Sequence, residues 1–380
     1  MSKAERPSDE GFDRTQLQGV KNLDLLAAIP TNVEEKAVAR GIALGLEAAE
    51  SINDRRISTF SRGAQPAFAG INTFLKAPYC EDIHDVGNYD VAILGEPFDM
   101  GTTYRSGCRF GPQAVRRISA LYDSYNLDMA VDLAQELSIC DAGDVFVIPS
   151  NIEKSFDQMD RAVSYIINEG VFPVMVGGDH SIAYPNIRAI ARQTEGNIGV
   201  IHFDRHIDIQ ESDMDERMHT THFFHATNLP NVPAKNLVQI GIGGWYGSRP
   251  GLKVARDRET TVMTMGDIEN LGIDKAVDAA LEIAWKGVEK VYLSFDIDVV
   301  DGGMAPGTGS PEPGGLLPRE ALRALSRVAQ EGICGMEVVE IAPPYDTSDS
   351  TAQLGCRAIM DVLGTLVANG HLGSRAAKQG

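Results

Sequence analysis

At 380 residues, of which 43% are hydrophobic and 23% charged, the chain is long enough for one large α/β domain or two ordinary ones and apolar enough for a substantial core. A formal net charge of −19 argues against nucleic acid and anionic membranes as partners and mildly favours a cationic substrate. No apolar run approaches the roughly 18–20 residues of a membrane span. The five cysteines (Cys80, Cys108, Cys140, Cys334, Cys356) are odd in number and scattered singly, and the opening MSKAERPSDEGFDR lacks the apolar stretch of a secretory signal. Both features lead us to expect free thiols in a reducing cytoplasm.

Residues 1–65 read as an N-terminal extension, with a helix expected over 31–51 from the cap at Thr31 and acidic residues in its first turn. The stretch 54–66 is basic and irregular. Residues 66–380 form the expected catalytic domain, in which strand, loop and helix repeat. Strands are expected at 89–94, 171–176, 198–203, 236–242, 261–265, 290–295 and 332–341. Helices are expected from Pro112 onward and over 152–169, 187–192, 274–286, 319–330 and 351–369. Alternating elements with apolar, β-branched strands indicate a parallel sheet covered on both faces, and such sheets place their chemistry at the carboxyl ends of the strands.

Three of those ends carry metal-type residues. GGDHS (177–181) presents His180 after paired glycines expected to form a tight turn. In GNIGVIHFDRHID (196–208), Asp204, His206 and Asp208 recur with a period of two, which on a strand puts all three on one face and Arg205 on the other. SFDID (294–298) repeats the spacing with Asp296 and Asp298. Each motif alone is a weak signal. Together, two histidines and four aspartates are a borderline-to-hard ligand set suited to divalent Mn, Ni or Zn. Six protein ligands are too many for one catalytic ion and suit two ions about 3.5–4 Å apart.

These motifs, followed by APGTG (305–309), resemble the ureohydrolases: arginase, agmatinase and their relatives. The resemblance covers the chain from about residue 68 onward. It implies a three-layer α/β/α arginase-like fold with a mainly parallel eight-stranded sheet, and hydrolysis of a guanidinium to urea plus an amine. It also implies a homo-oligomer, trimer or hexamer. Under it, His180, Asp204, Asp208 and Asp296 surround one ion, and His206, Asp204, Asp296 and Asp298 the other. Asp208 also accepts a hydrogen bond from the bridging hydroxide. His219 matches the histidine that protonates the leaving amine, and Glu340 the glutamate that pairs with the guanidinium. His222 and His225 are alternatives to His219, and Glu337 to Glu340. His202 reads as a core histidine. Arg105 and Arg109 are as readily structural anchors as substrate contacts.

Within the family, FDRHIDIQESDMDERMHT, HATNLPNVPAKNLVQIGIGGW and PEPGGLLPREAL resemble the guanidine-hydrolase branch, whose members act on guanidine or on substituted biguanides such as metformin. That branch implies nickel, with manganese the alternative and nickel-loading accessory proteins as possible partners. Arg205 and Gly302 depart from the usual agmatinase pattern, which has a small residue and a proline there. Thr102, Thr103, Tyr104, His222, Phe223, Trp245 and Tyr246 are candidates to close a small pocket. An agmatinase or guanidino-acid hydrolase is the alternative function, and a catalytically silent subunit of a mixed oligomer a lower one.

Overall fold

Strands that are apolar on both faces need a cover on each side, and here one sheet provides the surface for both. The computed structural model describes residues 67–373, so the helix expected over 31–51 lies outside the described residues. Among the described residues, eight strands build the sheet: β1 (Val91–Glu96), β2 (Ile139–Asp144), β3 (Phe172–Gly177), β4 (Ile198–Phe203), β5 (Leu237–Ile242), β6 (Thr261–Thr264), β7 (Lys290–Asp296) and β8 (Met336–Val339). Their order is β2-β1-β3-β8-β7-β4-β5-β6, and every pairing is parallel.

Alternation along each strand divides the core. Ile93, Val174, Ile201 and Leu293 pack on one side with residues of the helices Gly111–Ser119, Ile273–Ala284, Pro318–Ala329 and Ser350–Ala368. Leu94, Met175, Val200 and Tyr292 pack on the other with the helices Ile152–Asn168 and Ala183–Arg192. This is the three-layer α/β/α arrangement that the resemblance implied. No helix among the described residues is long and apolar enough to cross a membrane, and all five cysteines are free.

One strand escaped the sequence reading. β2 has the sequence ICDAGD, with two aspartates in six residues. Both serve Arg116 on the neighbouring helix: its Nε and Nη2 donate to Asp141 at 2.8 and 2.9 Å, and its Nη1 to Asp144 at 2.6 Å. An edge strand tolerates such residues when a partner neutralises them, and that partner is remote in sequence.

The strand order fixes where the chemistry falls. β3, β8, β7 and β4 are adjacent in the middle of the sheet, so the loops leaving their carboxyl ends meet over its centre.

Candidate metal centre

Each of the three motifs starts with the same local device. The carboxylate of Asp179 accepts the N–H of Ser181 (2.9 Å), that of Asp204 the N–H of His206 (2.5 Å), and that of Asp296 the N–H of Asp298 (2.8 Å). An aspartate bonded to the backbone two residues on forms an Asx turn, which bends the chain. The period of two therefore has a different origin from the one expected. β4 ends at Phe203 and β7 at Asp296, followed by a 3-10 turn over Ile297–Val299, and Asp208 adopts a left-handed backbone with φ 44°. Turning loops, rather than strand alternation, gather Asp204, His206 and Asp208. The glycine pair also works differently: a Cβ at Gly178 would stand 2.1 Å from the Phe98 carbonyl oxygen, so glycine is needed there for close approach of two chain segments.

The gathered side chains face one another closely. His180 Nδ1 lies 2.9 Å from Asp296 Oδ2, 3.1 Å from Asp204 Oδ2 and 3.5 Å from Asp208 Oδ2. His206 Nδ1 lies 3.0 Å from Asp298 Oδ2 and 3.3 Å from Asp204 Oδ1. All four aspartates and His180 are buried, while the His206 side chain keeps 16% of its surface exposed. Burial and the neighbouring carboxylates push Asp208 and Asp296 well above the usual carboxylate range, while three histidines hold Asp204 well below it against its own burial. His180 Nδ1, surrounded by carboxylate oxygens, is buried without a hydrogen-bond partner. Three buried carboxylates around an orphaned imidazole nitrogen, with a fourth beside His206, form a donor set that fits divalent cations.

Behind this cluster stand residues that were not assigned from sequence. His180 Nε2 donates to Ser294 Oγ at 2.8 Å, and that hydroxyl donates to Glu337 at 2.7 Å. Asn186 bridges Glu337 and Glu96, 2.9 Å from each. The ring proton of His180 is thereby assigned to Nε2, leaving Nδ1 as the ligand atom. Ser294 belongs to the SFDID motif, where only the carboxylates had been read. Glu337, the alternative to Glu340, is thus turned away into the core. His202, the expected core histidine, is fully buried, with its pKa drawn down to about 4 by burial, and it bonds Asp204 at 2.8 Å. His222 and Phe223 are both buried, and the His222 ring lies 4.2 Å from that of His180.

Glu340 follows β8 with φ 63° and is also buried. One oxygen accepts the His180 backbone N–H and His219 Nδ1, each at 2.9 Å, and the other accepts the Cys108 thiol at 3.1 Å. His219 Nε2 meets Thr103 Oγ1 at 2.8 Å and the Thr103 N–H at 3.2 Å. Burial pulls the His219 pKa down, but Glu340 and Asp208 outweigh it and hold the ring up at about 9. The Thr103 N–H favours a bare Nε2, so the ring stands between a group that keeps its proton and one that favours releasing it. His225 instead bonds the Glu216 carbonyl.

The remaining candidates separate. Arg109 is an anchor, donating from Nε to Asp99 at 2.6 Å. Arg105 lies against the rings of Tyr104 and Tyr345, 5.3 and 5.0 Å away, with no ion pair to an acid among the described residues. Thr102 Oγ1 bonds the Asp99 carbonyl. Trp245 is 99% exposed, whereas the Tyr246 ring lies edge-on to His206 at 5.4 Å.

A model of the arginase family matches residues 89–364. The chain belongs to the arginase family, and so to the hydrolases of C–N bonds in linear amidines. It is 37% identical to a proclavaminate amidinohydrolase of Streptomyces clavuligerus over 76% of this chain and 91% of that one. It is 34% identical to a mitochondrial agmatinase of Gallus gallus, over 81% and 91%, and 31% identical to a guanidinobutyrase of Pseudomonas aeruginosa, over 78% and 93%. The solved structure of the Streptomyces clavuligerus protein superposes with a TM-score of 0.74 at 33% identity, covering 80% of this chain and all of that one.

Proposed function

We propose that this arginase-family hydrolase cleaves guanidine or a small substituted guanidine to urea and ammonia or the corresponding amine, or a biguanide such as metformin to guanylurea and the amine. The observation that carries the reading is the buried Glu340, hydrogen-bonded to His219 and to the backbone of His180 beside the four-aspartate cluster. His180, Asp204, Asp208 and Asp296 would hold one divalent ion, and His206, Asp204, Asp296 and Asp298 a second. Nickel is favoured and manganese the alternative, since such a site binds nickel more tightly. When bound, two such ions supply a water of lowered pKa at neutral pH. Glu340 orients the planar cation, Asp208 accepts a hydrogen bond from the attacking water, and His219 gives a proton to the leaving nitrogen.

A small substrate is supported by the loop after β1. Its Thr103 covers His219 and its Cys108 covers Glu340, while a Cβ at Gly309 would stand 3.4 Å from the Glu340 carboxylate. This close cover suits a substrate without a long tail. A guanidino acid is the second reading, favoured by Arg105, a cation with no ion-paired acid among the described residues. The resemblance to the guanidine-hydrolase branch carries the remaining proposals: a homo-oligomer (trimer or hexamer), a cytoplasmic location, nickel-loading accessory proteins, and 66–380 as the catalytic domain behind an extension of residues 1–65.

The test is urea release, or guanylurea release from metformin, by protein loaded separately with nickel and with manganese. Guanidine, metformin, agmatine, arginine and 4-guanidinobutyrate are offered in parallel. Turnover of guanidine or metformin, best with nickel, is expected. Preference for agmatine would overturn the small-substrate reading, and preference for 4-guanidinobutyrate would establish the second one.

A further inference from the structure

Arg205 and Gly302, the two departures from the agmatinase pattern, meet at one residue, Glu312. Arg205 Nε donates to Glu312 Oε2 at 2.9 Å, and only 5% and 10% of the two side chains are exposed. The Glu312 carbonyl accepts the N–H of Gly302 at 3.0 Å, a bond that a proline at 302 could not make. Glu312 Oε1 accepts the N–H of Trp245 at 2.7 Å. Gly244, with φ 70°, leaves room for that carboxylate, because a Cβ there would stand 1.6 Å from it. The Arg205 backbone is stitched to the same neighbours: its carbonyl accepts the Gly243 N–H at 3.1 Å, and its N–H points to Asp298 at 3.3 Å.

We propose that Arg205 and Glu312 form a positioning clasp that ties together the loops after β4, β5 and β7 and holds the outer half of the metal centre, His206 and Asp298, with Tyr246 against it. The clasp rests on the two-ion reading given above. The residues on either side of Arg205 are the ligands Asp204 and His206, so any drift of the Arg205 backbone moves both. His206 is the most exposed of the six ligands and lacks the buried hydrogen-bond chain that backs His180. Its order therefore depends on the loops around it. A buried ion pair contributes little net stability compared with apolar packing, but it fixes geometry when both partners are present. Neither residue touches the substrate in this account; each acts through His206, Asp298 and Tyr246.

The test uses the full chain and three variants: Glu312→Gln, which keeps one acceptor but removes the charge, Arg205→Lys and Arg205→Ala. The metal-free proteins are titrated calorimetrically with Ni2+. The order of the 243–248 loop is read from the fluorescence anisotropy of Trp245 in a Trp285→Phe background, a signal that needs no metal. Arg117→Ala, at an exposed ion pair with Asp349 remote in sequence from the clasp, is the control. The expected result is that the first ion binds as in wild type and the second about ten- to a hundredfold more weakly, with lower Trp245 anisotropy. If Arg205→Ala fails to fold, as judged by circular dichroism, Glu312→Gln and Arg205→Lys decide. Folded variants that bind both ions with wild-type affinity and show unchanged anisotropy overturn the clasp. If wild type itself binds one ion, the two-ion reading fails instead, and the clasp stands or falls on the anisotropy.

Discussion

The two halves of the metal centre are built from different material. The inner half, around His180, is buried and backed by side chains of the sheet, Ser294 on β7, Glu337 on β8 and Glu96 on β1, the last joined through Asn186 of the helix Ala183–Arg192. The outer half, around His206, is partly exposed and is kept in shape by three loops, two of them glycine-rich, drawn together on Arg205 and Glu312. Strand residues cannot move without disturbing a packed core, whereas loops can. The inner ligand thus takes its precision from the sheet, and the outer ligand from one ion pair.

Asp204 is shared by both halves, so Asp204→Asn is expected to have the largest effect. It should remove both ions and bring urea release to background, measured as metal content and turnover in the same preparation. His219→Ala comes next, separating chemistry from binding: metal content should stay at wild type while kcat falls about 10²–10⁴-fold. Retained turnover would show that another group supplies the proton. Ser294→Ala sharpens the contrast between the halves. It should weaken the inner ion about 10–100-fold and leave the outer one untouched, the mirror image of the clasp variants.

Metal removal tests both halves at once. Without ions, His219 is held up at about 9 by Glu340 and Asp208 despite its burial. Its folded pKa is thus above its unfolded value. This contribution to stability is complete below about pH 6.5 and is lost as pH rises through about 9. The chelated protein should therefore melt at falling temperature between pH 6.5 and 9.5, more steeply than a chelated His219→Ala protein. Equal slopes would remove His219 from the account. Cys108→Ala should have the smallest effect. Losing one weak donor to Glu340 is worth about 0.5–1.5 kcal/mol, a few-fold rise in KM with metal content unchanged.

What could be read from the amino-acid sequence follows the range of the interactions. Strands such as Val91–Glu96 and Phe172–Gly177 carry their own apolar signature, and the carboxylate and histidine motifs are local enough to be seen as groups. The geometry that joins them is not local. Cys108 and Glu340 are 232 residues apart, Arg205 and Glu312 are 107 apart, and Arg116 reaches 25 residues to make β2 acceptable as a strand. The period-two spacing was seen but assigned to strand pleating. An Asx turn produces the same spacing, and only the hydrogen bond from the second backbone N–H tells the two apart. Residue type says that an aromatic ring or imidazole is near a site, as at Trp245 and His222, but not on which side of a loop it falls.

The backbone at Asp208 and Glu340 has a bearing on how such proteins change over generations. Both acids sit in the left-handed region, at φ 44° and 63°, where a residue with a side chain costs about 1 kcal/mol or more relative to glycine. Replacement by glycine relieves that cost and removes a buried carboxylate as well. A lineage selected only for a sturdy scaffold is therefore drawn toward glycine at these two positions, and arrives at a robust copy with no chemistry. An acid at 208 and at 340 thus carries a backbone cost that glycine would not.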